Sequence, residues 1–201
     1  MRRFSWLQPV VIGLATLPAA ILAVRFVREQ LGANPVEELT HETGVWALRL
    51  LLASLAITPL RRELGWSSAA PLRRTLGLAA FAYASLHVGV YAILDQGLAV
   101  DFLLEDVRER PYITVGFTSF MCLVPLAVTS TRAWIRRLGR RWTQLHRLAY
   151  LAAIAAVIHF VWLVKADLRE PLIYAVLLAV LLGARMLRSA RKRLGVRTAS
   201  A

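Results

Sequence analysis

Residues 148–164 read LAYLAAIAAVIHFVWLV, a run without Asp, Glu, Lys or Arg that contains a single histidine, His159. A helix needs about 20 predominantly apolar residues, within a range of roughly 17–25, to cross the hydrocarbon core of a bilayer. This run therefore predicts a membrane-spanning helix at the short end of that range. Five more apolar stretches predict spanning helices at approximately 7–24, 44–60, 76–94, 112–130 and 171–187. The last of these includes Arg185, whose side chain can extend toward the headgroups.

The composition of the 201-residue chain agrees with an all-α, polytopic bundle of six transmembrane helices. Apolar residues make up 58% of the chain and the mean hydropathy is +0.55, yet the formal net charge is +13. These values exclude an ordinary soluble domain, which is roughly 45–50% apolar. A polytopic membrane protein explains both, because its arginines crowd into short loops on one side. The single cysteine, Cys122, excludes an internal disulfide and a CxxC metal or redox motif.

The distribution of basic residues predicts the orientation of the helices. Eighteen Lys and Arg lie on the side that holds both termini, six lie in the loops on the other side, and Arg49 lies inside the second predicted helix. Since cytoplasmic loops are enriched in Lys and Arg, both termini are predicted to be cytoplasmic. The chain is predicted to form one domain, 1–201, ending in a basic cytoplasmic tail, 188–201. The first twenty residues also resemble a signal peptide, but the five hydrophobic segments that follow favour an uncleaved anchor helix.

Basic runs such as residues 136–141 also occur in proteins that bind nucleic acid or anionic lipid. Aromatic residues do not interleave with these arginines as a base-stacking surface would need. Membrane topology and contact with lipid headgroups explain the runs, and no nucleic acid partner is predicted.

Two histidines within predicted helices are the candidate functional residues, because an ionisable group at membrane depth is costly. His87 lies thirteen residues after Arg74, and His159 lies thirteen residues after His146. Both helices run outward, so each histidine lies about 20 Å beyond its reference residue at ~1.5 Å per residue. Equal depth on two helices is what two axial ligands of one haem require. The alternative is that each imidazole only hydrogen-bonds another helix, while nearby small residues serve close packing.

His146 lies at the cytoplasmic mouth of its helix and is a candidate ligand for a second, inner haem. Thirteen residues turn an ideal helix by about 1300°, or 220° beyond three full turns, so His146 and His159 do not share one face. The position that matches His146 on the third helix is Arg74, which is not a usual axial ligand. Either another residue completes an inner site, or Arg74 binds a haem propionate or a flavin phosphate. His41, just before the second predicted helix, is expected to be a solvated loop residue, with ligation as the alternative.

Several motifs resemble the MsrQ (YedZ) family, which belongs to the ferric-reductase-like transmembrane superfamily. The resemblance covers roughly residues 7–187 and rests on motifs that match in order and spacing: NPVEELTHETG (34–44), RRTLG (73–77) leading to SLH (85–87), RPYITVG (110–116), LGRRWTQLH (138–146) and IHFVW (158–162).

The resemblance implies a bacterial inner-membrane subunit that transfers electrons and is not itself catalytic. It implies one or two b-type haems, with His87, His146 and His159 as metal ligands, and it implies FMN. The superfamily pattern has a fourth histidine where this chain has Arg74, which stays a candidate cofactor-binding residue. Electrons would come from the quinol pool or a cytosolic flavin reductase and pass to an MsrP-like periplasmic molybdopterin reductase that reduces methionine sulfoxide in proteins. No Gly-rich dinucleotide fingerprint follows the sixth helix, so the donor is expected to be another molecule. A haem-free transporter or a structural membrane subunit is the alternative.

Overall fold

The computed structural model describes residues 6–66, 69–164 and 166–198, with side chains up to residue 190. These residues are mostly helical and contain no strand, which confirms the predicted all-α class. Predictions that concern Arg2, Arg3, Lys165 and the last three residues of the basic tail lie outside the described residues. The helices are α1 (Leu7–Val27), α2 (Pro35–Glu63), α3 (Ala70–Gly89), α4 (Val100–Glu109), α5 (Pro111–Val128), α6 (Arg132–Leu138), α7 (Arg140–Leu145), α8 (Leu148–Leu163) and α9 (Arg169–Thr198).

Six helical segments of the described chain are long and apolar enough to cross a membrane, as predicted: 7–27, 35–63, 70–95, 111–128, 140–163 and 169–190. One boundary differs clearly at α2, which begins nine residues before the predicted start at residue 44. The Asn34 side chain accepts a hydrogen bond from the Glu37 amide, and Pro35 occupies the first helical position. Both are strong helix-start signals, and they lie outside the apolar run that defined the prediction. α9 likewise continues to Thr198, so most of the predicted tail is helical.

The helices form two closely packed pairs. The most extensive contacts join α2 to α3 and α5 to α8, and α1 packs against α3. Small side chains lie at the centre of these pairs, where Ala80, Ala152 and Ala153 are fully buried. In a bilayer, helices associate through such close backbone approach, because lipid tails remove the hydrophobic driving force between helices.

A proline within α1 is accommodated by a side chain from α3. Pro18 has no amide hydrogen and disturbs the hydrogen-bond ladder of its helix. The Tyr83 hydroxyl donates to the Ala15 carbonyl at 2.8 Å and accepts from the Ala19 amide at 2.8 Å. It therefore lies between two groups that would bond directly in an unbroken helix, so that neither is left unpaired in the membrane.

The loop that follows the third span contains a short helix. After α3 the chain continues as a π-helical segment, Val90–Asp95, and then forms α4. Asp106 of α4 accepts a hydrogen bond from the Tyr91 hydroxyl at 2.6 Å and pairs with Arg110 at 3.1 Å. The Tyr91 contact attaches α4 to the end of the third span, and the Arg110 pair lies at the junction of α4 and α5, while Asp101 and Glu105 remain exposed.

Candidate functional site

The structure brings His87 of α3 and His159 of α8 together. Their ring centroids lie 6.2 Å apart, and the ring planes make an angle of 79°. Both side chains are partly buried within the membrane-spanning part of the bundle. The equal spacing predicts that the two histidines lie at the same depth. The structure also places their rings side by side, which the position of each residue along its own helix does not specify.

Each imidazole is oriented by one backbone carbonyl of a neighbouring helix. Nδ1 of His87 lies 2.8 Å from the Thr40 carbonyl oxygen in α2, and Nδ1 of His159 lies 2.7 Å from the Tyr112 carbonyl oxygen in α5. A carbonyl oxygen only accepts, so Nδ1 must carry the hydrogen and donate it. Nε2 is then the unprotonated nitrogen in both residues, which is the form that binds a metal.

A glycine one turn farther along each neighbouring helix makes this approach possible. A Cβ atom at Gly44 would lie 2.9 Å from His87 Nδ1, and a Cβ atom at Gly116 would lie 2.7 Å from His159 Nδ1. Both distances are well below van der Waals contact, which is about 3.5–4.0 Å. Any side chain at either position would push the imidazole away from its carbonyl. Gly44 and Gly116 are therefore part of the site, although sequence reasoning did not single them out.

The two halves of the site repeat with a fixed offset of 72 residues. Adding 72 to the numbers of Thr40, Gly44 and His87 gives Tyr112, Gly116 and His159, and each histidine bonds a carbonyl 47 residues before it. This offset is a signal in the sequence from which the two glycines could have been found. The same offset relates Arg74 to His146, so the two halves differ at the ends that are predicted to be cytoplasmic.

The geometry of the His87–His159 pair fits a haem. A metal–imidazole bond is about 2.0–2.1 Å and a ring nitrogen lies about 1.1 Å from its centroid, so two imidazoles on opposite sides of one ion have centroids about 6.2–6.4 Å apart. The observed 6.2 Å agrees with that separation. The described residues contain no group of three or more His, Cys, Asp or Glu able to hold a metal ion. An ion between these two histidines would need its remaining ligands from outside these side chains, and a macrocycle can supply them.

The structure places His146 between α7 and α8, at the end of the bundle that is predicted to be cytoplasmic. Its ring stacks on Trp142 at 3.8 Å, and its Nδ1 lies 3.1 Å from the Trp142 carbonyl oxygen. Arg73 is the arginine of α3 that acts electrostatically on His146. Arg74 is exposed and has no hydrogen bond or ion pair with the described residues, so the structure does not join it to His146. Its guanidinium is free for a ligand from outside the chain.

A charged network on the opposite side of α2 was also missed by sequence reasoning. Arg49 donates from Nε to the Tyr174 hydroxyl at 2.7 Å and lies 3.4 Å from the Glu170 carboxylate, which joins α2 to α9. His41 lies 3.8 Å from the same carboxylate, with its ring edge toward Phe160. His41 is exposed and belongs to α2, not to the loop before it as expected. This network compensates the charge of Arg49 within the membrane.

A cavity of about 630 Å³ lies along α1, away from the histidine pair. Its wall is apolar and includes Trp46, Leu50 and Leu76, with Arg25 and Glu42 also contributing. Neither His87 nor His159 lines it. A cleft with apolar walls beside an outer helix of a membrane bundle accommodates lipid chains without further specialisation, so this cavity does not indicate a cofactor site.

Known proteins resemble this chain over most of its length. Residues 43–157 match the family described as ferric reductase like transmembrane component. A protein named "Protein-methionine-sulfoxide reductase heme-binding subunit MsrQ" from Xanthomonas axonopodis pv. citri (strain 306) is 48% identical over 185 residues, which cover 89% of this chain and 85% of that protein.

Two further proteins of that name show the same level of similarity. The one from Xanthomonas campestris pv. campestris (strain 8004) is 50% identical over 173 residues, 86% of this chain and 78% of its own. The one from Azospira oryzae is 46% identical over 192 residues, 94% of this chain and 82% of its own. No solved structure shows significant similarity to the chain. The chain therefore belongs to the MsrQ family of ferric-reductase-like transmembrane proteins.

Proposed function

We propose that this protein is the electron-transfer subunit of a methionine sulfoxide reductase system in the bacterial inner membrane, and that His87 and His159 hold a b-type haem. The observation that carries the proposal is the 6.2 Å separation of the two rings, each bonded through Nδ1 to a backbone carbonyl. The names of the relatives, which include haem binding and protein-methionine-sulfoxide reductase, support it. The subunit itself carries out no bond chemistry.

The residues around the haem site would bind the group and set its properties. When bound, haem supplies a one-electron carrier within the low-dielectric interior of the bundle. The carbonyls of Thr40 and Tyr112 hold each imidazole in one tautomer and one orientation and increase its basicity as a ligand. Gly44 and Gly116 allow both carbonyls to be reached. Because both rings are held by helix backbone, they need little reorganisation when the charge on the site changes.

The inner end of the bundle is proposed to receive the electrons. His146 is held on Trp142 at the cytoplasmic side, as a ligand for a second haem would need to be. Arg74 has no partner among the described residues and fits the phosphate of FMN, because a guanidinium binds phosphate through two parallel hydrogen bonds. The donor is the quinol pool or a cytosolic flavin reductase. Whether the protein binds one or two haems depends on this inner site.

The outer end is proposed to deliver electrons to an MsrP-like periplasmic molybdopterin reductase. The outer loop carries exposed acidic side chains on α4, among them Asp101 and Glu105, while Asp106 is engaged in holding α4 to the third span. These exposed carboxylates form the surface on which charge can steer a partner. The final substrate would be methionine sulfoxide in periplasmic proteins.

The test of the haem site is the spectrum of purified His87→Ala and His159→Ala variants, with His41→Ala as the matched control. Each of the first two variants should lose one low-spin haem per protein, measured from pyridine haemochrome and reduced-minus-oxidised spectra. The control should keep the full content, because His41 is exposed and bonds neither site histidine. A haem-free membrane preparation of the unaltered protein, or full haem content in the double variant His87→Ala/His159→Ala, would refute the proposal in favour of a transporter or structural subunit.

A further inference from the structure

One of the two terminal nitrogens of the Arg185 guanidinium in α9 makes a hydrogen bond within the bundle. Its Nη2 donates to the carbonyl of Leu55 in α2. Leu55 lies four residues before Pro59, which has no amide hydrogen to return to that carbonyl. Arg185 therefore satisfies a backbone acceptor that the proline leaves unpaired within the membrane.

The second terminal nitrogen of the guanidinium has no hydrogen-bond partner among the described residues. Nη1 of Arg185 is buried and has no hydrogen-bond acceptor among the described residues. The guanidinium lies over the ring of Tyr150, 4.9 Å from its centroid, and the Tyr150 hydroxyl also interacts with the group, but neither gives Nη1 a hydrogen bond. An arginine that served only the positive-inside distribution would extend to water. This one turns toward the bundle instead, and a buried donor of this kind calls for an acceptor supplied from outside the chain.

The charges around Arg185 indicate that this acceptor is an anion. Arg62 and Arg73 both act on Arg185 as like charges. Glu63 is the one acidic residue on the predicted cytoplasmic side of the sequence, and it pairs with Arg188. The three guanidinium groups thus concentrate positive charge between α2, α3 and α9, and the one nearby carboxylate among the described residues, that of Glu63, is already paired with Arg188.

The geometry points to the phosphate of one anionic phospholipid as the ligand of this cluster, bound at the cytoplasmic end of α2, α3 and α9. A guanidinium binds phosphate oxygens strongly, and basic pockets between helices on the cytoplasmic side bind anionic headgroups. Apolar side chains one to two turns farther into the membrane on α9, Leu177 and Val180, are 48% and 63% exposed and provide a surface for acyl chains. A free anion would make no use of that surface.

The experiment is native mass spectrometry of the purified full chain in detergent with added phosphatidylglycerol or phosphatidylcholine. One phosphatidylglycerol should stay bound, and Arg185→Gln should weaken its retention by about fivefold, as expected for one basic residue at an anionic lipid. Because Arg185→Gln also frees the Leu55 carbonyl, Arg62→Gln is the second variant, and it leaves that contact intact. It should weaken retention to a similar extent. Arg132→Gln, which removes an exposed charge at the start of α6, is the matched control and should not.

Competing ligands are separated in the same experiment. Inorganic phosphate and FMN are added in parallel, and displacement of phosphatidylglycerol by either would show a soluble phosphate ligand and overturn the lipid assignment. A fall in haem content in Arg185→Gln without a change in lipid retention would show that Nη1 binds a haem propionate, and would also overturn it. Equal retention of both lipids by all variants would likewise overturn the lipid assignment. These readouts do not depend on electron transfer, so the proposed function can fail while this inference stands.

Discussion

Replacing Gly116 with alanine should remove the haem held by His159 while improving the helix that carries the substitution. The added Cβ would lie 2.7 Å from His159 Nδ1, 2.9 Å from Cε1 and 3.0 Å from Cγ. Ordinary contact needs about 3.5 Å or more, so the ring must move by about 0.5–1 Å. That displacement breaks the 2.7 Å hydrogen bond to the Tyr112 carbonyl. Loss of such a hydrogen bond to a ligating histidine typically costs 10–100-fold in affinity for the metal group.

The expected loss of haem cannot result from a less stable helix α5. Alanine is more favourable than glycine in a helix interior by roughly 0.5–1 kcal/mol, so Gly116→Ala should stabilise α5 itself. Gly44→Ala should have the smaller effect of the two, because its Cβ would lie 2.9 Å from His87 Nδ1 and not 2.7 Å. Gly89→Ala and Gly183→Ala are matched controls, since nothing lies within 4 Å of a Cβ at either position.

The assay is the haem-to-protein ratio and the Soret position of each purified variant, together with its thermal unfolding. The ratio should fall in the order Gly89→Ala, Gly44→Ala, Gly116→Ala, with the controls equal to the unaltered protein. If Gly116→Ala keeps full haem content with an unchanged Soret band, then His159 does not ligate haem in the orientation described and the reasoning is wrong.

Three further outcomes are expected. Arg74→His, which places histidine at the position equivalent to His146 in the 72-residue repeat, should change the spectrum or increase the haem content of the inner site; an unchanged spectrum and content would contradict the equivalence. Charge reversal at Asp101 and Glu105 together should leave haem reduction unaltered and slow electron delivery to the periplasmic reductase several-fold in stopped-flow measurements, and the opposite pattern would place the docking surface elsewhere. A reporter inserted at Gly97 should be periplasmic and one at the C-terminus cytoplasmic; reversed labelling would overturn the orientation.

The glycines show why local pattern alone did not reveal the whole site. His87 and His159 stand out in the sequence because each is an ionisable residue within an apolar run. Gly44 and Gly116 do not, since glycine is common in spanning helices and serves close packing in general. Their role depends on which histidine lies against them, and each of those histidines is 43 residues away in sequence. Only the comparison of both halves at the 72-residue offset would have indicated it.

For the basic residues, too, the sequence predicts a collective property, and only the structure shows the role of each side chain. Their number and distribution predict orientation, because the rule that governs insertion counts Lys and Arg loop by loop. The individual roles differ within one cluster. Arg73 donates to Thr58 and acts on His146, its neighbour Arg74 is exposed, and Arg185 bonds the carbonyl freed by Pro59. An arginine side chain is long enough to reach a neighbouring helix. Its partner is therefore decided by helix packing and not by the residues next to it in sequence.

By itself the sequence determined the class of the protein, its six spans and the common depth of two histidines, because hydropathy and rise per residue are properties of a continuous segment. It also contained the Asn34–Pro35 start signal that extends α2 beyond its apolar run. Only the tertiary structure decided that the two imidazoles face the same space, that backbone carbonyls of α2 and α5 orient them, and that Arg49 is paired with Glu170 of α9. These are contacts between residues 47 to 121 positions apart, and they form only when the rotation and lateral placement of each helix are set by packing against its neighbours.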